Sequence, residues 1–205
     1  MTEITRVNSY SDSRFSQRVL HQHGCFLVED VPYEIEIASD FEAVIRGANR
    51  SLYPEIIDEF RFYAPHITKF RDADGALVLE FPAASVLELP LEQIQPSQFY
   101  VDESKIAAIK SFIHAPQDII IQAARLENRY VSLDGHTRLY YAATQGWGTV
   151  RAVEAPMGAY ISDFVAEART RGIFSPKDML LVGHREYEEK WNGFCDTYFE
   201  NAEHQ

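Results

Sequence analysis

Cysteine is scarce in this chain. Cys25 and Cys195 are the only two in 205 residues, they stand far apart, and neither belongs to a C-x-x-C pair. That excludes a disulfide-stapled scaffold and a zinc ribbon, and two isolated thiols suit a reducing compartment. Long apolar runs are missing too, with nothing near the ~20 residues that a bilayer-spanning helix needs. The first residues, Met1-Thr2-Glu3-Ile4-Thr5-Arg6, lack the basic-then-apolar pattern of a secretory signal. Positive charge is short as well: 19 Lys and Arg face 31 Asp and Glu, a net charge of −12. Nonspecific DNA binding draws most of its affinity from phosphates neutralised by Lys and Arg, so the charge argues against a broad grip on DNA. It leaves room for a small local basic pocket. The expectation is a cytoplasmic protein with no membrane partner.

What is present suits a folded chain. A hydrophobic share of 46% with 13% aromatics is too apolar for disorder. Residues 1–82 read as an α+β module. A helix is expected over Asp12–His23, with Gly24 as its stop. Strands are expected at Cys25–Val28, Tyr33–Ile37 and Phe41–Arg46, with Glu29-Asp30-Val31-Pro32 as a turn. A helix follows at Tyr53–Tyr63, with Pro54 in its first turn, and Asp72-Ala73-Asp74-Gly75 joins two strands as a hairpin.

The texture changes at Pro82-Ala83-Ala84-Ser85, after which strand and helix alternate. Ser85–Leu89 reads as a strand and Asp102–His114 as a helix capped by Asp102 or Ser104. Ile119–Ala123 is continuously apolar, as in a strand buried on both faces. Arg129–Leu133 and Thr149–Val153 are further strands, separated by a helix over about His136–Gln145. The tail reads as helical. Ala159–Arg171 stops at Gly172, Ser175-Pro176-Lys177-Asp178 has the form of a new helix start, and His184–Phe199 carries Tyr187, Trp191, Phe194, Cys195 and Tyr198 on one stripe. If that stripe is exposed, it is a homodimer face.

One segment carries chemistry: Leu133-Asp134-Gly135-His136-Thr137-Arg138, where a strand runs through a turn into a helix. The first N–H groups of that helix lack internal partners and sit at the positive end of its dipole, which makes an anion site. Gly135 lets the backbone approach a ligand, Arg138 adds a planar cationic fork, His136 and Thr137 add donors, and Asp134 is placed to hold Mg²⁺ or orient a hydroxyl. The same residues also fit an ordinary helix start with Asp134 as cap and Arg138 as a solvated charge.

This hexapeptide, the alanine-containing helix after it and Gly146-Trp147-Gly148-Thr149-Val150-Arg151-Ala152-Val153 resemble the phosphate-binding core of the ParB/sulfiredoxin superfamily. Leu89-Pro90-Leu91-Glu92-Gln93-Ile94-Gln95-Pro96-Ser97-Gln98 resembles the opening I-x-P segment of that family. The likeness covers residues 85–155. It implies an α/β core (α+β for the whole chain) over 83–156, between the module at 1–82 and a helical extension at 157–205. It further implies that the loop holds the phosphates of ATP, ADP or CTP with Mg²⁺, and that Ser97 and Gln98 line the nucleotide site.

The departures sort the branches. Sulfiredoxins place a cysteine between the glycine and the histidine of this loop, and here His136 follows Gly135 directly. Partition proteins carry Gly-Glu-Arg-Arg and a DNA-binding domain, whereas this tail is acidic after residue 175. The free serine kinases, with Asp-Gly-His-His-Arg, are nearest in motif, with Thr137 here in place of their second histidine. Their catalytic glutamate falls on Gln98, which cannot act as a base, and Asp102 and Glu103 are the first acids that can replace it. The expected activity is therefore nucleotide binding coupled to phosphoryl transfer onto a small molecule or to hydrolysis. Asp134 and His136, with Asp102 or Glu103, would then be catalytic. The alternatives are a non-catalytic nucleotide- or anion-sensing module and, more remotely, a ParB-like nuclease.

Overall fold

The computed structural model describes residues 3–9 and 11–203. Met1 and Thr2 of the N-terminal reading, and the side chain of Glu203, lie outside the described residues. Helices and strands are mixed throughout, so the fold is α+β. The chain divides into two compact units, Met1–Ser85 and Val86–Gln205. Among the described residues, no helix is long and apolar enough to cross a membrane.

The first unit contains β1 (Ile4–Arg6), α1 (Gln17–His21), β2 (Cys25–Val28), β3 (Val31–Ile37), β4 (Glu42–Gly47), α2 (Tyr53–Tyr63), β5 (Lys69–Asp72) and β6 (Leu77–Glu80). Its six strands lie side by side in chain order. Neighbours are antiparallel except β4 and β5, whose parallel pairing is allowed by the α2 crossover. Ile56, Ile57 and Phe60 of α2 are buried with Ile35, Ile45 and Phe70, and each such side chain contributes roughly 1.5–3 kcal/mol of burial.

Two expectations shift in this unit. Helix α1 is only five residues long, because Asp12 binds the N–H and guanidinium of Arg14 in a preceding turn and Ser16 caps the helix instead. The β2–β3 turn is just Glu29 and Asp30, both left-handed at φ 50° and 66° as a two-residue hairpin demands, so β3 starts at Val31. At the expected hairpin, Asp72 Oδ1 accepts the N–H groups of Asp74 and Ala76, and Oδ2 pairs with Arg50 at 2.9 Å.

The second unit contains β7 (Val86–Pro90), β8 (Ile94–Pro96), β9 (Tyr100–Asp102), α3 (Glu103–Ile109), β10 (Ile120–Leu126), β11 (Arg129–Ser132), α4 (His136–Thr144), β12 (Thr149–Glu154), α5 (Tyr160–Thr170), β13 (Leu180–Val182), α6 (His184–Tyr187) and α7 (Gly193–Glu203). A π-helical turn, Glu188–Asn192, joins the last two helices. Five strands form a mixed sheet in the order β7-β12-β10-β11-β8. The apolar strand β10 takes the middle, with Ile120, Ile121 and Ala123 buried.

The tail is not purely helical. Ser175-Pro176-Lys177-Asp178 makes one 3-10 turn, because the Asp178 carboxylate binds the N–H of Phe174 and the hydroxyl of Ser175. The chain then extends as β13 and pairs in parallel with β9, Leu180 opposite Tyr100 and Val182 opposite Asp102. The aromatic stripe packs inward: Trp191 and Phe194 lie 5.0 and 5.1 Å from Phe99, ring centre to ring centre, and Phe164 meets Phe194 and Tyr198 at 5.2 and 5.0 Å.

Candidate functional site

Strands β8 and β11 run parallel, Pro96 opposite Ser132, so the segments that follow them leave the sheet at one edge. Ser97 follows β8, and Leu133-Asp134-Gly135 follows β11. Gly135 is the N-cap of α4 at φ 80° and ψ 20°, in the left-handed region where other residues are strained. A Cβ there would lie 2.7 Å from Ile121 Cγ2 and 3.0 Å from Arg138 Nη2. With glycine as cap, no side-chain hydrogen bond caps the helix. The first bond inside the helix runs from the Leu139 N–H to the Gly135 carbonyl, so the N–H groups of His136, Thr137 and Arg138 have no acceptor within α4.

Arg138 folds back over this turn. Its Nη1 donates to the Ile120 carbonyl at 2.8 Å and its Nη2 to Asp134 Oδ2 at 3.1 Å. These bonds use two of five guanidinium N–H donors. Arg138 is therefore both a brace between β10 and the loop and a cation held over the helix end. Thr137 is half-buried at the second helical position.

His136 is buried, with Nε2 3.2 Å from Ser97 Oγ. The Ser97 hydroxyl donates to the Ser132 carbonyl at 2.8 Å, and the same carbonyl accepts from the His136 ring. Burial pushes the His136 pKa down to about 4, against the opposing pull of Asp134. At neutral pH His136 is thus an uncharged donor, and any charge stabilisation it offers is that of a neutral imidazole. The Ser132 hydroxyl beside this group is buried with no hydrogen-bond partner.

The residues expected to supply or replace a base lie differently. Gln98 is buried and donates from Nε2 to the Tyr100 carbonyl, with the Tyr187 hydroxyl at 3.5 Å, so it serves the fold. Asp102 has no exposed surface. Its Oδ1 caps α3 by accepting the N–H and hydroxyl of Ser104 at 2.8 and 2.7 Å, and its Oδ2 is 2.7 Å from Nδ1 of His184. Burial alone would raise the Asp102 pKa, but the bonds from His184 and Ser104 outweigh it and hold the group below the ordinary carboxylate range. Glu103 is exposed at the first turn of α3.

His184 is the residue that sequence reasoning missed. Its side chain is 65% exposed while Nδ1 is held by Asp102. That bond, and the field of the same carboxylate, raise its pKa above the ordinary value. No spacing motif joins positions 102 and 184. Only the β9–β13 pairing brings them together, and recognising Leu180-Leu181-Val182 as a strand was the one available signal. Among the described residues, no group of three His, Cys, Asp or Glu side chains is placed to hold a metal ion.

No protein-family model matches the chain, and no curated protein does. Among solved structures, it is similar to the crystal structure of protein Atu1540 from Agrobacterium tumefaciens, at 15% identity over 45% of this chain and a TM-score of 0.31. The match spans 50% of that structure, about half its length. Likeness of this degree leaves the functional reading to the site itself.

Proposed function

We propose that residues 134–138 bind the phosphates of a nucleotide, ATP, ADP or CTP, and that binding is coupled to phosphoryl transfer onto a small molecule or to nucleotide hydrolysis, in a protein of the cytoplasm. The observation that carries this reading is the glycine-capped start of α4, whose N–H groups are uncovered by any capping side chain and lie beside Arg138. The resemblance of this loop to the ParB/sulfiredoxin superfamily, nearest the free serine kinase type, supports it. The first N–H groups of α4 and the remaining guanidinium donors of Arg138 would hold phosphate oxygens, and neutral His136 would add order beneath them.

Mg²⁺ fits in one way only. It is commonly held by one or two carboxylates together with substrate phosphates. Asp134, whose side chain is 49% exposed, supplies one such carboxylate at the mouth of the loop. The ion would arrive with the nucleotide and neutralise phosphate charge. A thermal-shift screen against ATP, ADP and CTP with Mg²⁺, followed by phosphorylation assays over free amino acids and sugars, tests the reading. Binding that is lost in Arg138→Ala, together with a phosphorylated product or released phosphate, is the expected result. No shift with any nucleotide sinks it.

The place of Gln98 favours a second reading, a non-catalytic nucleotide or anion sensor. An amide bonded to a main-chain carbonyl stands where a catalytic acid is needed. That reading predicts the same loss of binding in Arg138→Ala but no product. The net charge of −12 weighs against the nuclease alternative.

A further inference from the structure

We infer that His184, oriented by Asp102, is the base that takes the proton from the hydroxyl of the phosphoryl acceptor; this rests on the phosphoryl-transfer reading above. A kinase site needs a group to accept or guide that proton. Gln98 cannot, Asp102 has no exposed surface and gives both oxygens to Ser104 and His184, and His136 is buried against Ser97. The bond from His184 Nδ1–H to a carboxylate fixes the ring and leaves Nε2 as the unprotonated nitrogen of the neutral ring, on a side chain that is 65% exposed. A buried acid behind an exposed imidazole is the arrangement that orients a histidine base and stabilises the imidazolium it becomes.

Chain connectivity and packing tie the dyad to the helix that the loop opens. Ser97 touches His136, and Asp102 lies only five residues beyond Ser97, a reach of at most about 18 Å even if fully extended. Strand β9 and helix α3, which meet at Asp102, both pack on α4. The groups that face His184 are Asp102 at the end of β9, Lys105 on α3 and Glu188 in the π turn. Glu103 reaches toward Gly183, just before it.

In the step, the acceptor hydroxyl gives its proton to Nε2 and its oxygen forms a bond to phosphorus. The bond from phosphorus to the bridging oxygen of the nucleotide breaks, and that electron pair stays on the departing nucleotide. The imidazolium, held by Asp102, then loses its proton to water.

The test uses the full chain with His184→Asn, which keeps a donor toward Asp102, Asp102→Asn, and Arg138→Ala as the binding control. Thermal shift with ATP, ADP and CTP plus Mg²⁺ reads binding, and a panel of free amino acids and sugars reads transfer across the neutral pH range. Tryptophan fluorescence confirms folding. His184→Asn should bind nucleotide within about twofold of wild type yet lose about 10²–10⁴-fold in kcat, and added imidazole should restore part of it. Asp102→Asn should move the acid limb of the pH profile to lower pH, as the carboxylate that raises the His184 pKa is gone. Unchanged kcat and pH profile in His184→Asn overturns the inference, as does a wild type that binds nucleotide but phosphorylates nothing. A wild type that binds no nucleotide removes the loop reading itself and this inference with it, so the binding arm tells the two failures apart.

Discussion

Replacing Gly135 by alanine separates two demands made on that position. The first is conformational: φ near +80° costs an L-residue about 1–2 kcal/mol. The second is steric. The new methyl would meet Ile121 Cγ2 at 2.7 Å and Arg138 Nη2 at 3.0 Å. Ile121 is fully enclosed in the sheet, so overpacking adds about 1–3 kcal/mol. Gly172 has the same φ of +80° and meets nothing within 4 Å, and Gly146 at φ +70° is equally open. Alanine at either of these carries the first penalty without the second, and any gain from restricting the unfolded chain is shared by all three. Gly135→Ala should therefore destabilise by about 2–5 kcal/mol and Gly172→Ala by about 1–2 kcal/mol. Both tryptophans, Trp147 and Trp191, belong to the unit Val86–Gln205, so fluorescence-detected urea unfolding follows the unit concerned. At temperatures where it stays folded, Gly135→Ala should also lose nucleotide binding through displaced Arg138, while Gly172→Ala keeps it. Equal destabilisation of the two variants would falsify the close packing of Ile121 and Arg138 around the loop.

Acid should weaken the second unit through His136. With a folded pKa of about 4 against an ordinary 6.5, the unfolded chain binds the extra proton, so stability falls as pH drops through that window, by about 3 kcal/mol in full. His136→Gln should flatten the dependence in urea melts at acid and neutral pH, and an unchanged slope argues against a buried neutral imidazole. His184 has the opposite sign. Its raised pKa gives stability that is full below the unfolded value and lost as pH rises through the folded one, and an NMR titration of the ring should show the rise vanish in Asp102→Asn. Phe164→Ala removes the ring on which Trp191, Phe194 and Tyr198 converge and should destabilise by about 3–5 kcal/mol with a red-shifted Trp191 emission; a loss below 1 kcal/mol, about that of a surface change, speaks against the cluster as core. Arg138→Lys should fail to restore binding lost in Arg138→Ala, because a lysine cannot bond the Ile120 carbonyl and Asp134 at once in the same planar geometry; full rescue would show that charge alone matters.

Local signals carried most of the strand and helix assignments. Helix α2 matches its expected span, and the apolar run at Ile119–Ala123 marks the middle strand of its sheet. These features depend on periodicity, caps and turn residues close in sequence. The turn before α4 was legible for the same reason, although the cap is Gly135 at φ 80° and not Asp134 as in an ordinary helix start. What escaped was settled by side-chain and strand-edge competition that periodicity does not register. Asp12 prefers the Arg14 guanidinium to a helix N-terminus, which shortens α1. Leu180-Leu181-Val182 becomes a strand because β9 offers an edge some 80 residues earlier. The inward role of Arg138 as a brace to Ile120, and the pairing of Asp102 with His184, follow from that tertiary placement and have no local signature.

The separation between β9 and β13 also sets an order of events during synthesis. The first unit has its strands side by side in chain order and can complete its sheet as it emerges. In the second, β9 shows an unpaired edge, and Asp102 lacks its imidazole, until residues 180–184 have left the ribosome. A nascent chain that has emerged past residue 102 but not past residue 180 therefore holds a finished first unit and an unfinished second one, with an open strand edge. Quality-control proteases acting on such chains should cut after residue 85 and leave the first unit intact.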